Sequence, residues 1–273
     1  MSAPLVVVDD RAGVRWLTLN RPDKRNALSK SLVAELATEL ERSAEDPAAR
    51  VVVLAGAGQS FCAGYDLTEE LTEDVGELQV VLRRDLDRLL ALFDHPKPIV
   101  GRIQGHCLAG GCDLMMLCDV VVAAHDAVIG LPEITFGSAV VANVLPWLVG
   151  ARKAKELMLT GERIDGDEAH RIGLVNRVVP EESLDDAVTE VASRIATFDP
   201  TVVRLTKQMV NRTLEAGGFR RALVESVDLS AIIEGSRSPE RVEFDRIRDT
   251  EGLSAAITWR EARLGAGGSE PPG

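Results

Sequence analysis

The sequence is poor in the residues that most often bind metals or form disulfides. Its 273 residues include only four cysteines and four histidines. The cysteines form no C-x-x-C pair, and three of them lie within the apolar segment 105–119. This placement is typical of buried free thiols in a reducing compartment, and it favours neither a disulfide framework nor a zinc site. We therefore expect a cytoplasmic protein with no metal site.

Basic residues are also under-represented, with 31 Lys and Arg against 43 Asp and Glu and a net charge of −12. Nucleic-acid binding needs clustered positive charge, so no nucleic-acid partner is expected. Within a predicted helix over 73–93, three arginines alternate with Asp85 and Asp87. Such alternation is typical of a solvated helix face.

Long apolar runs are missing as well. Acids at 113, 119 and 126 interrupt the longest candidate, so no membrane-spanning helix is predicted. The first residues lack the basic start and apolar stretch of a signal peptide. We expect no membrane association.

The first half of the chain alternates strand-like and helix-like patterns, which predicts α/β architecture with a largely parallel sheet. The predicted strands span 5–8, 14–19, 51–56, 97–105 and 119–124, and the predicted helices start at Ser29 and span 73–93 and 110–118. Further on, helices are predicted over 151–160, 183–197, 201–216, 219–234 and 238–248, with one strand over 173–179.

The segment GHCLAGGCDLMMLCD (105–119) places two glycines and an acid before an apolar run. A helix starting near Gly110 leaves its first N–H groups without intrahelical partners, and glycine lets an oxygen approach them. That chemistry suits a developing oxyanion, with Asp113 about one turn away. The alternative is that Asp113 only stabilises the helix N-terminus and that Gly110 and Gly111 only allow close packing.

An oxyanion hole needs a second donor, and SFCAGYDL (60–67) offers one. Gly64 would let the backbone turn and present the Tyr65 N–H. A second acid, Glu133, lies in IGLPEITFG (129–137) at a turn or first helical turn. Its position also fits dipole stabilisation alone, yet two acids near strand-to-helix junctions match the needs of general acid–base chemistry.

Two other enzyme classes are disfavoured. VVVLAGAG (51–58) lacks the third glycine of a dinucleotide-binding motif, since position 61 is Phe. There is no G-x-S-x-G nucleophile elbow of a hydrolase.

Five segments in order resemble the crotonase (enoyl-CoA hydratase/isomerase) family, over about residues 6–207. They are LNRPDKRNALS (19–29), FCAGYDL (61–67), PKPIVGRIQGHCLAGGCDLMMLCDVVVAA (96–124), GLPEITFG (130–137) and GARKAKELMLTGERIDGDEAHRIGLVNRVVP (150–180). The resemblance implies a crotonase-like spiral of ββα units with a C-terminal α-helical trimerisation region. It implies a core over 1–199 that carries the thioester site, a helical oligomerisation region over 200–264 and a disordered tail over 265–273.

The resemblance also implies acyl-CoA thioester substrates, no cofactor beyond the coenzyme A of the substrate, and a homotrimer or dimer of trimers. In the family, two backbone amides grip the thioester oxygen, and these correspond to Tyr65 and Gly110. The acid pair that holds a water corresponds to Asp113 and Glu133, with Glu133 moving the proton and Asp113 positioning and activating the water. Coenzyme A and substrate contacts correspond to Arg25, Ala27, Ala63, Asp66, Leu67, Thr68 and Gly111.

The sequence departs from the hydratases at two places. Hydratases usually have glutamate at the position of Asp113, whereas the dienoyl-CoA isomerases have aspartate there. The further acid of those isomerases, expected near Val140 or Val141, is missing. The segment 138–150 is apolar, which favours a hydrophobic or cyclic acyl group. We therefore predict enoyl-CoA hydration or dehydration, with double-bond isomerisation as the alternative and a catalytically silent acyl-CoA-binding or scaffold protein as the non-enzymatic one.

Overall fold

A computed structural model describes residues 3–69 and 72–266, with side chains to residue 263. These residues form nine strands and ten α-helices. The strands are β1 (Val6–Arg11), β2 (Val14–Leu19), β3 (Val51–Gly56), β4 (Ile99–Ile103), β5 (His106–Leu108), β6 (Val120–Ala124), β7 (Val128–Gly130), β8 (Arg163–Ile164) and β9 (Arg177–Val179). The helices are α1 (Lys30–Glu45), α2 (Val75–Asp94), α3 (Gly110–Met116), α4 (Leu145–Thr160), α5 (Gly166–Arg171), α6 (Leu184–Ala196), α7 (Pro200–Ala216), α8 (Phe219–Ser236), α9 (Pro239–Glu251) and α10 (Leu253–Ala266). Short 3₁₀ helices span Pro22–Lys24, Pro132–Phe136 and Glu181–Ser183.

The strands form two sheets. The larger has the order β1-β2-β3-β4-β6-β9 and is parallel except for the β1–β2 pair. The smaller has the order β5-β7-β8, with β5 and β7 parallel. Because β3 is buried along its whole length, its sequence VVVLAG is a continuous apolar run rather than an alternating pattern. The predicted α/β class is confirmed.

Successive turns of the chain visit the large sheet and then the small one, which makes the fold a spiral. Cys62, Cys107 and Ile129 pair side by side in a parallel ladder that joins three such turns. Tyr65 and Gly110 each lie three residues beyond their ladder residue. Equal offsets from a parallel ladder bring both to the same edge of the small sheet.

The first two helices have local features that allowed them to be predicted from the sequence. The Ser29 side chain accepts a hydrogen bond from the Leu32 amide and begins α1, and Asp74 does the same for α2. Leucines at helical spacing are buried along both helices, and α2 packs against α8. Both predicted helices are confirmed.

Several short elements were not predicted. β5, β7 and β8 have two or three residues each, too few to show a periodicity, and the bounds of α5 and α10 were not predicted. The strand predicted over 5–8 continues to Arg11 as β1. Helix α4 begins at Leu145 rather than 151 and has a non-helical kink at Gly150. Helix α10 runs to Ala266, and residues 267–273 of the predicted tail lie outside the described residues.

The cysteines are free thiols, and all except the half-buried Cys118 are buried. Among residues 3–69 and 72–266, no helix is both long and apolar enough to cross a membrane.

Candidate active site

Two backbone N–H groups lie side by side where the ladder ends. The segment around Tyr65 pairs with Leu28, whose amide donates to the Gly64 carbonyl (2.8 Å) and whose carbonyl accepts from the Asp66 amide (3.1 Å). The Tyr65 amide therefore faces the opposite way, and it donates to no group in the described part of the chain, as is also true of the Gly110 amide. A β-carbon on Gly64 would lie 3.4 Å from the Gly110 nitrogen. Adjacent strands are about 4.8 Å apart, so one oxygen can accept from both amides.

The approach of these two segments requires glycine. Gly64 has φ +99°, and an added β-carbon would lie 2.7 Å from the Ala109 β-carbon. A β-carbon on Gly110 would meet the Tyr65 ring at 2.7 Å, and one on Gly111 would meet the Cys62 carbonyl oxygen at 2.3 Å. Gly111 is thus required for backbone packing, which is the alternative raised for it from the sequence.

Ala109, immediately before Gly110, has φ +52° and ψ −125°. Alanine rarely adopts this conformation, and such strain persists only where the surrounding structure enforces it. Its amide donates to the Gly130 carbonyl (3.0 Å), and its carbonyl accepts from the amides of Cys112 and Asp113. These bonds fix the direction of the Gly110 N–H.

The two predicted acids are buried and influence each other. Asp113 is fully buried, and neither of its carboxyl oxygens has a well-formed hydrogen bond to a described residue. Burial raises the pKa of Asp113 well above its usual range, the charge of Glu133 raises it further, and the nearby Ala142 amide offsets a small part. Burial thus favours the protonated form of Asp113.

Glu133, in the 3₁₀ helix after β7, is 6% exposed, and its Oε2 is buried without a partner among the described residues. Burial raises the pKa of Glu133 to about 7. Its own backbone amide lowers the pKa, while the carboxylate of Glu234 raises it and the guanidinium of Arg260 lowers it. Both carboxyl groups are therefore harder to ionise than free ones, and Glu133 changes its charge near neutral pH.

This raised pKa predicts a pH-dependent stability. Between pH 4.5 and about 7, folded Glu133 keeps a proton that the unfolded chain has released, so the free energy of unfolding falls as pH rises. The shift corresponds to about 3 kcal/mol. Glu133→Gln should therefore be about 3 kcal/mol more stable than the wild type at pH 8 and nearly equal to it at pH 4.5. Urea unfolding at both pH values measures this, and a difference that does not change with pH would contradict it.

A main cavity of about 900 Å³, counting its open mouth, lies between α2, the segment after Tyr65, the loop after Glu133 and helices α8 and α9. Tyr65 and Val141 connect its wall to the amide pair and to the loop that passes Asp113. Its apolar lining is Leu28, Val33, Leu67, Val81, Leu82, Val141 and Phe244. The wall can hold an aliphatic chain, in agreement with the apolar 138–150 segment.

Helix α8 holds the loop after Glu133 in place. The Glu234 carboxylate accepts hydrogen bonds from the Ser138 hydroxyl and the Ala139 amide and pairs with Arg241 (2.8 Å). The Ser230 hydroxyl donates to the Val140 carbonyl (2.7 Å). The contacts from α8 to the loop span 90 or more residues of sequence, and no local motif indicated them.

The predicted coenzyme A contacts near the N-terminus lie at the outer side of the amide pair. Arg25 is exposed, adopts a left-handed conformation (φ +48°) and forms no ion pair with a described residue. Its carbonyl accepts from the Ala63 amide (2.9 Å), and the Ala27 carbonyl accepts from Arg21. Arg25 is thus available to a phosphate.

The residues that follow Tyr65 have two different roles. Leu67 lines the main cavity. Asp66 lines it too, but its carboxylate pairs with Arg21 (2.8 Å) and accepts from the amide and hydroxyl of Thr68, contacts that lower the pKa of Asp66. The side chains of Asp66 and Thr68 therefore stabilise the turn.

The environment of Asp85 differs from the solvated helix face that the sequence predicted. The alternating charges of α2 predicted a solvated face, and Asp87 is indeed exposed. Asp85, however, lines the main cavity, 3.4 Å from the Arg88 guanidinium, and burial raises its pKa. No sequence pattern indicated this position, because residues at 85 and 88 follow the same spacing whether they face water or a cavity.

No group of three or more His, Cys, Asp or Glu side chains with the arrangement of a metal site occurs within the described residues. We assign no metal-binding role to any of them.

Comparison with known proteins agrees with the geometry. The sequence pattern of the enoyl-CoA hydratase/isomerase family matches residues 9–234. A 2,3-dehydroadipyl-CoA hydratase of Escherichia coli is 36% identical over 77% of this chain and 83% of its own, and a probable enoyl-CoA hydratase of Rhizobium meliloti is 36% identical over 97% and 99%. The crystal structure of an enoyl-CoA hydratase/isomerase from Xanthobacter autotrophicus has 36% identity and a TM-score of 0.91, covering 96% of this chain and 99% of that one. The chain therefore belongs to the enoyl-CoA hydratase/isomerase family and has the crotonase fold, as its five sequence segments predicted.

Proposed function

We propose that this protein catalyses the addition of water to the C2–C3 double bond of an acyl-CoA thioester, and the reverse elimination. The proposal is carried by one observation: the amides of Tyr65 and Gly110, which have no partner among the described residues, occur together with two buried acids, Asp113 and Glu133. Hydration of a conjugated thioester needs both parts, because charge develops on the carbonyl oxygen while protons move at C2 and C3.

In the proposed reaction the thioester oxygen accepts hydrogen bonds from both amides. Ionised Glu133 takes a proton from water as the water oxygen bonds to C3, and the C2–C3 π electrons move to form an enolate. Asp113 then gives its proton to C2, which restores the carbonyl. One proton has moved onto Glu133 and one has left Asp113, so the pair keeps its net charge and returns to its first state by internal proton transfer.

The electrostatics support this division of roles. The pKa of Asp113 is raised well above its usual range, which suits a proton donor. The pKa of Glu133, at about 7, suits a base that works near neutral pH. Asp113 thus does more than position and activate the water. The reaction needs no cofactor other than the coenzyme A of the substrate, and we propose the cytoplasm as its location because Cys62, Cys107 and Cys112 are unpaired thiols.

The direct test is loss of the conjugated thioester absorbance of crotonyl-CoA and longer enoyl-CoAs, with the products identified by mass. An added mass of one water supports the proposal. Movement of the double bond without a mass change would favour isomerisation, and thioester binding without turnover would favour the silent acyl-CoA-binding alternative.

We also propose that the protein forms a homotrimer or a dimer of trimers. No whole residue of helix α7 is buried within the chain, and the helix carries the exposed apolar residues Val202, Leu205, Met209 and Val210. An apolar helix face of this kind needs a partner surface. Sedimentation should therefore give three or six chains, and Met209→Glu together with Val202→Glu should shift the protein toward monomer. A wild-type monomer would contradict the proposal.

A further inference from the structure

The main cavity carries charged side chains as well as apolar ones, and its cations are already neutralised. Arg88 lies 3.4 Å from Asp85, Lys30 lies 3.8 Å from Glu69, and Arg241 lies 2.8 Å from Glu234. The remaining lining cation, Arg248, pairs with Asp245 at 2.8 Å. A terminal carboxylate on the acyl group would therefore have to displace an acid already in place.

Asp85 is the acid in this wall whose hydrogen bonding is least complete for its burial. Its side chain is 19% exposed, and its described ion-pair contacts are long, 3.4 Å to Arg88 and 3.9 Å to Arg84. Glu234 and Asp66, by comparison, each have several bonds of 3.1 Å or less. Asp85 therefore depends on solvent in the cavity for part of its hydrogen bonding, and an acyl group that displaces this solvent must replace those bonds.

The Tyr65 hydroxyl lies in the same region. Tyr65, Asp85 and Arg88 together line the main cavity and a smaller apolar pocket of about 350 Å³ beneath it. The charge of Asp85 is one of those that raise the pKa of Tyr65, and the hydroxyl has no hydrogen bond to a described residue. A carboxylate acceptor, a guanidinium donor and a phenol are thus shared by the two cavities, and the other residues that line the smaller one are aliphatic.

We propose that Asp85, with Arg88 and the Tyr65 hydroxyl, selects acyl-CoA thioesters whose acyl group bears an uncharged hydroxyl beyond the reacting double bond. The hydroxyl donates to the Asp85 carboxylate and accepts from Arg88 or Tyr65, which replaces the hydrogen bonds to the solvent that the acyl group displaces. A plain aliphatic chain displaces that solvent without replacing its hydrogen bonds, and a carboxylate is repelled by Asp85. This selectivity rests on the proposed function for its substrate class.

The test measures binding separately from turnover. The dissociation constants of saturated acyl-CoA esters with four to eight acyl carbons, each with and without a terminal hydroxyl, are measured by calorimetry on the oligomer as isolated. In the wild type, the hydroxylated ester should bind about tenfold more tightly at the chain length that reaches Asp85. Asp85→Leu should abolish this preference without weakening the unsubstituted esters, while the matched Asp87→Leu variant of the exposed neighbour should keep it.

Turnover of crotonyl-CoA by the wild type is recorded in parallel, so that failure of the proposed function is seen on its own. The inference is overturned if the wild type prefers no hydroxylated ester at any length, if it prefers ω-carboxyl esters, or if Asp85→Leu keeps the hydroxyl preference. If thermal unfolding shows that Asp85→Leu does not fold, Asp85→Asn replaces it and should lower the hydroxyl preference several-fold. The wild-type comparison of esters with and without the hydroxyl tests the proposed selectivity in either case.

Discussion

Glu133→Gln should lower kcat by about 10²–10⁴-fold while leaving the affinity for a saturated acyl-CoA nearly unchanged. Glutamine keeps the size of the side chain but cannot accept the proton that Glu133 takes from water. The same variant should be more stable than the wild type at pH 8, because the buried charge is gone. Loss of activity combined with gain of stability separates a catalytic role from a structural one.

The measurements for Glu133→Gln are steady-state kinetics with an enoyl-CoA and calorimetric binding of the saturated analogue. Glu162→Gln serves as control, since Glu162 is exposed and forms no ion pair with a described residue. Near-normal turnover by Glu133→Gln would remove Glu133 from the mechanism.

Gly64→Ala should have a second large effect, a fall in kcat/KM of about 10²–10³-fold. The new β-carbon would lie 2.7 Å from the Ala109 β-carbon and 3.0 Å from the Leu108 carbonyl oxygen. It must push apart the two segments that carry the amides, so one oxygen can no longer accept from both. The positive φ of +99° adds a stability cost of about 1–2 kcal/mol.

Gly173→Ala is the matched control for Gly64→Ala. Gly173 also has a positive φ (+81°), but an added β-carbon there has no neighbour within 4 Å. It should show the stability cost without the kinetic one, as measured by thermal unfolding and by kcat/KM. Equal kinetic losses in the two variants would mean that the Gly64 effect is not local to the amide pair.

The parts of the site that could be predicted are those with a local signal. Gly64 and Gly110 mark close backbone approaches, so the sequence indicated the amides of Tyr65 and Gly110, and the structure brings them together. Asp113 lies three residues after Gly110, Glu133 lies at a separate turn after β7, and the structure buries both. Their protonation could not be predicted, because it depends on burial and on Glu234 and Arg260, far along the chain.

The short strands could not be predicted from the sequence for a different reason. β5 and β7 have three residues each and exist because neighbouring strands supply their hydrogen bonds, not because of their own pattern. The polarity of the cavity wall was missed in the same way, since helical spacing does not tell whether Asp85 faces water or the cavity. Tertiary contacts decide such cases.

The ladder of Cys62, Cys107 and Ile129 limits where the chain can change in length. Tyr65 and Gly110 are each connected to it by three residues, so one residue added or deleted in either connection would turn an amide away from its neighbour. The exposed turn between β1 and β2 has no such restriction. Natural variation in loop length should therefore collect in outer turns, and a tag or reporter domain inserted there should leave turnover intact.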